Sequence, residues 1–130
     1  AAAKVGQQYT ITDHPHLVSG PMQGLFEALR KAILALDPCV NEEFLKLYVA
    51  YKAETNFVDV VPQAKRLLLV LNLSIEDIED PKGLCRDISN IGRWGNGDVE
   101  VGLSNIDDLP YVMGLIRQSF DHQMGNPQDV

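Results

Sequence analysis

Five apolar residues in succession, Leu67-Leu68-Leu69-Val70-Leu71, with Leu73 beyond Asn72, constrain this chain more than any other feature. A strand that is apolar on both faces must be covered on both, which places it at the centre of a sheet. Two more strands precede it. Lys46 to Lys52 alternates, with Leu47, Val49 and Tyr51 on one side and Tyr48, Ala50 and Lys52 on the other. Phe57 to Val61 follows the short connection Glu54-Thr55-Asn56 and stops at Pro62. Residues of these types suit a pleated, half-buried surface, and the short hinges between the runs imply antiparallel order. Further on, Leu84 to Ile88 pairs briefly with the sheet and Asp98 to Leu103 adds another alternating strand.

Helices bracket the strands. Leu25, Phe26, Leu29, Ile33 and Leu36 recur at helical spacing from Met22 onward, until Asp37-Pro38 stops the run, because a residue before proline is pushed out of the α region. Asn41 to Phe44 reads as a short turn or helical start. The last helix begins at 105–108, where Asn105 or Asp107 caps it, Pro110 fits its first turn, and Val112, Met113, Ile116 and Phe120 form its buried stripe. The expected architecture is α+β in two layers: an antiparallel sheet of four to five strands with the N- and C-terminal helices packed on one face. Residues 1–21 read as a flexible linker or arm, 22–123 as a single domain, and 124–130 as a frayed tail.

A formal net charge of -7 opposes free-standing nucleic-acid binding, which draws on lysine and arginine. Basic residues nevertheless concentrate between Lys46 and Arg93, enough for one mildly basic face. No apolar run reaches the ~20 residues of a membrane span, and the Ala-Ala-Ala-Lys start lacks the pattern of a signal peptide. Cys39 and Cys85 are too few for a disulfide framework and read as reduced core or near-core thiols. A cytoplasmic protein is the simplest account. Asp13-His14-Pro15-His16 places two imidazoles together without a third ligand at a recognisable spacing, so linker chemistry is favoured over a metal site, and no cofactor is expected.

The residues that invite a functional reading lie in two places. Tyr48, Lys52 and Asn56 crowd the first hairpin, and Gly92-Arg93-Trp94-Gly95-Asn96-Gly97 gathers the only tryptophan with three glycines that allow positive φ or close backbone approach. This loop precedes a strand, whereas phosphate-cradling loops follow one and open a helix, so nucleotide binding is not expected. Arginine and aromatic side chains supply recognition energy, which makes Tyr48, Lys52, Asn56, Arg93, Trp94 and Asn96 the candidate binding residues. Trp94 as an edge plug of the core is the competing reading. A weaker constellation, Asp59, Asp98 and Glu100 with Lys52, suggests a metal-dependent nuclease or hydrolase. No serine elbow and no cysteine beside a histidine is present.

Three segments, Tyr48-Val49-Ala50-Tyr51-Lys52, Thr55 to Gln63, and Gly92 to Val101, resemble a bacterial domain family of unknown function that is sometimes catalogued as predicted transport proteins. The resemblance covers about residues 14 to 123 and is to the version found at the C-terminal end of larger proteins with a ParB/sulfiredoxin-like nuclease domain of the GmrSD restriction type, often with an HNH nuclease domain between. It implies an accessory domain whose catalysis resides in nuclease domains of the same or an associated protein. The expected function is therefore a noncatalytic recognition module that binds a protein partner or modified nucleic acid, with no membrane role. The alternatives are the small nuclease above and a structural unit that forms a homodimer through an edge strand or the Trp94 loop.

Overall fold

The computed structural model describes residues 9–91 and 97–125. Three helices, α1 (Pro15–Val18), α2 (Met22–Leu34) and α3 (Leu109–Gln123), accompany six strands: β1 (Asn41–Phe44), β2 (Val49–Lys52), β3 (Asn56–Pro62), β4 (Leu67–Leu71), β5 (Arg86–Asp87) and β6 (Val99–Leu103). All pairings are antiparallel, in the spatial order β1-β2-β3-β4-β6-β5. The fold is the α+β arrangement expected, with one strand more than the sequence suggested.

Strand register sorts the side chains onto two faces, because successive residues alternate. Val49, Tyr51, Val58, Val60, Leu69, Leu71, Val99 and Val101 pair across neighbouring strands and share one face. They form a single core with Leu25, Phe26, Leu29 and Ile33 of α2 and with Val112, Leu115, Ile116 and Phe120 of α3. The double-sided run at 67–71 occupies β4, inside the sheet, with every residue buried. Ala50, Asp59, Val70 and Glu100 form a row across the opposite face.

Two segments differ from the expected secondary structure. Asn41 to Phe44 is an edge strand, not a turn: Glu42 and Phe44 point toward the helix layer, where burial and charge pairing outweigh the weak strand propensity of Asn-Glu-Glu. Residues 11–18, expected within a loose arm, form a 3-10 turn and α1, and Leu17 is only 1% exposed in the core. The arm adheres because the buried His14 ring shares a 2.7 Å hydrogen bond between Nε2 and the Leu45 carbonyl, which supplies its polar partner.

The segment between β4 and β5 is irregular but tied to α3. Gln118 accepts from the Glu79 backbone N–H at 2.7 Å and returns its own amide to the Glu79 carbonyl at 2.9 Å. The Asp80 carboxylate accepts from the Tyr111 hydroxyl and, at 2.7 Å, from the Cys85 N–H. Burial and Asp80 together push the Cys85 thiol up to about 12. Cys39, by contrast, is exposed after the helix stop, where Asp37 accepts from its N–H at 2.9 Å, so the expected near-core position holds for Cys85 alone. Asp37 raises the exposed Cys39 thiol as well, but without burial of comparable weight, so iodoacetamide at alkaline pH should modify Cys39 faster than the half-buried Cys85 in the folded protein. Peptide mapping over a time course checks this, and equal labelling rates would contradict the partial burial of Cys85.

Candidate functional site

Asn56 and Asp59 are three residues apart, a spacing that puts two side chains on opposite faces of a regular strand. In the structure they are hydrogen-bonded, Asn56 Nδ2 donating to Asp59 Oδ1 at 2.7 Å. A bulge makes this contact. The register shifts between Tyr51 and Lys52, so Tyr51 pairs with Val58 while Lys52 pairs with Asn56, and Phe57 is the extra residue. Phe57 packs edge-to-face on Phe120, with ring centroids 5.2 Å apart, and its carbonyl accepts from Ser119 Oγ at 2.6 Å. Burial of Phe57 against α3 thus holds the bulge, and the bulge re-aims Asn56 to the side of the sheet that carries Asp59. Asn72 fixes it further by donating to the Asn56 carbonyl at 2.9 Å.

Around this buried pair stand Tyr48, Lys52 and Glu43. Lys52 Nζ lies 2.8 Å from Glu43 Oε1 of the edge strand, and that hydrogen bond holds the ammonium above its usual range. Burial raises the Tyr48 phenol, and the nearby Asp59 charge raises it further. Both groups remain protonated near neutral pH and can donate hydrogen bonds, but neither can accept a proton there. Lys52 keeps 45% of its side chain exposed, whereas Asp59 is fully buried, so the accessible part of the site is its rim.

The carboxylates of the nuclease reading are not gathered. Asp59 faces Val70, and Val70 faces Glu100, which puts two strand spacings, about 10 Å, between the two acidic positions. Glu100 is instead beside Arg86 of β5, at 3.9 Å. Among the described residues no three His, Cys, Asp or Glu side chains are placed to hold a metal ion. Of the six candidate binding residues, Tyr48, Lys52 and Asn56 come together on one face, while Arg93, Trp94 and Asn96 lie outside the described residues.

A second constellation escaped the sequence reading altogether. On the helix side of β1, Glu42 accepts from Arg30 Nε at 2.8 Å, from Arg30 Nη2 at 2.9 Å, and from the buried Tyr51 hydroxyl at 2.8 Å. Only a strand assignment for 41–44 would have separated Glu42 from Glu43 and sent them to opposite faces.

A family described as "Domain of unknown function (DUF5655)" matches residues 12–123, the span from the 3-10 turn before α1 to the end of α3. The chain belongs to the DUF5655 family. A relative in Haemophilus influenzae, an uncharacterised protein, is 38% identical over 111 residues, covering 85% of this chain and 37% of the relative. The DUF5655 chain thus spans little more than a third of that protein's length. No solved structure matches it. Among the described residues of this DUF5655 chain, no helix is long and apolar enough to cross a membrane.

Proposed function

We propose that this chain is a noncatalytic accessory domain that recognises a protein partner, and that it serves a nuclease of the GmrSD restriction type as the C-terminal part of a larger protein. The observation that carries the reading is the grouping of Tyr48, Lys52 and Asn56 on one sheet face, at a partly accessible rim. Burial and then the Asp59 charge raise the Tyr48 phenol, and the Glu43 hydrogen bond raises the Lys52 ammonium, so both stay protonated and offer hydrogen-bond donors on that rim. The long relative supports an accessory role, since a protein nearly three times the length of the matched region has room for other domains. The restriction-type partner follows from the resemblance of the 48–52, 55–63 and 92–101 segments. Arg93, Trp94 and Asn96, outside the described residues, stay candidates by residue type, since arginine and aromatic side chains supply recognition energy.

The test mixes this chain with the portion of the Haemophilus influenzae relative that lies outside the match and follows co-elution by size exclusion. Tyr48→Phe with Lys52→Met, which roughly keep the volumes and remove the donors, should weaken co-elution about tenfold while the melting temperature stays within a few degrees. Unchanged co-elution by the double variant would refute the assignment of this rim. Cleavage of DNA by the chain alone with Mg²⁺ or Mn²⁺, lost in Asp59→Asn, would replace it with the nuclease reading.

A further inference from the structure

The hairpins β1–β2 and β3–β4 turn at the same end of the sheet, since Phe44 pairs with Val49, Val49 with Val60, and Pro62 with Leu67. Each turn is closed by a backbone bond, from Leu45 N–H to the Tyr48 carbonyl at 2.9 Å and from Gln63 N–H to the Arg66 carbonyl at 3.0 Å. Their centres are two strand spacings, about 10 Å, apart. These turns present Lys46, Lys65 and Arg66, all exposed, and contain no acidic residue. Arg30, Lys52, Arg86 and Arg117 each lie against a carboxylate, but no acidic side chain among the described residues pairs with these three. In a chain of net charge -7, that leaves an unneutralised cationic edge.

Arg66 is also held in place. Its Nε donates to Gln63 Oε1 at 2.8 Å, and its guanidinium crosses Gly102, where an added Cβ would come within 3.3 Å of Nη1. A guanidinium fixed through Nε keeps a fork of donors for a carboxylate. Leu47, 50% exposed beside Lys46, adds an apolar contact. The neighbourhood decides the length of the anion. β6 ends at Leu103 opposite Leu67, so the exposed Asp107 and Asp108 follow at this same end. A rigid polyanion laid across the edge would extend its outlying charges toward the end of the sheet that carries those acids, where like charges repel it. A short acidic segment with one or two apolar residues avoids them.

We propose that turns 45–48 and 63–66 form a docking edge for an acidic segment of a protein partner, received by Arg66 and Lys65 on one turn and by Lys46 and Leu47 on the other. This deepens the recognition-module reading and names the chemistry of the partner. The probe is a fluorescein-labelled, glutamate-rich peptide with interspersed leucines, titrated by anisotropy against the full chain at low and physiological ionic strength, beside a labelled DNA duplex. The peptide should bind with an affinity that falls as salt rises. Arg66→Ala should weaken it about tenfold, and Lys31→Ala, which removes an exposed charge from α2, should change it less than twofold. Melting curves confirm that both variants fold. Absence of peptide binding at either ionic strength overturns the proposal, as does an equal loss in Lys31→Ala, which would mark a net-charge effect. Tighter binding of the duplex, lost in Arg66→Ala, replaces the peptide with nucleic acid. If co-elution with the remainder of the relative survives Arg66→Ala, the edge is refuted and the recognition reading stands.

Discussion

Gly97→Ala should cost about 3 kcal/mol and lower the melting temperature by about 10 °C. An added Cβ at this position would stand 2.2 Å from the Leu71 carbonyl oxygen and 2.6 Å from the Leu71 carbonyl carbon. Both are backbone atoms in the middle of the sheet, where β4 pairs with β6, so no side chain can swing aside to make room. The chain must instead move Gly97 outward and strain the start of β6, or give up the last pairs of the ladder. The same substitution elsewhere has the opposite sign. Gly114 is exposed within α3 with no atom within 4 Å of its added Cβ, so Gly114→Ala should stabilise by about 0.8 kcal/mol by removing backbone freedom from the unfolded chain. Thermal or urea unfolding of the two variants side by side checks the contrast. A loss below about 0.5 kcal/mol for Gly97→Ala would mean that the close approach to Leu71 is not a constraint of the native state.

The contrast also shows which parts of the fold were legible. The glycine cluster at 92–97 pointed to close backbone approach, and Gly97 makes one, because only a missing side chain lets two backbones approach so closely. The run at 67–71 fixed a central strand, since a segment apolar on both faces has no other stable place. Helices α2 and α3 followed from their stripes to within a few residues. Ser119, fully buried, broke the apolar stripe of α3 and went unnoticed; its hydroxyl donates to the Phe57 carbonyl and accepts from Asn72 N–H, a contact that depends on chain crossings. The candidate site was half visible. Tyr48, Lys52 and Asn56 could be grouped because they lie in adjacent strands, yet the partnership of Asn56 with Asp59 needs a bulge whose cause is the packing of Phe57 on Phe120, 63 residues away in sequence. Periodicity carries no information about such a shift.

Glu42→Ala should cost about 3 kcal/mol, the second large effect, and its size depends on what is left behind more than on what is removed. Burial, and then the Glu42 charge, keep the Tyr51 phenol well above its usual range, and loss of the acceptor strands a hydroxyl in a residue with no exposed surface. Arg30 loses a bidentate partner but remains about one-third exposed, with Glu27 3.6 Å away and Phe44 beneath it, so water and these neighbours limit its share of the loss. Tyr51→Phe alone should cost about 1 kcal/mol. In the Glu42→Ala background the same change should be neutral or slightly stabilising, because it removes a donor that no longer has a partner. The four proteins form a double-mutant cycle that urea unfolding can close, and strictly additive losses would show that the hydroxyl and carboxylate do not depend on one another. The cycle also reaches the proposed recognition rim. Glu42 and Glu43 are adjacent in β1, one clamped to α2 and the other paired with Lys52 on the far face, so strand alternation gives two like residues two separate tasks. Loosening the inner glutamate frees the edge strand that positions the outer one. If the rim recognises a partner as proposed, Glu42→Ala should also weaken co-elution with the remainder of the relative, although its own carboxylate faces the other side of the sheet.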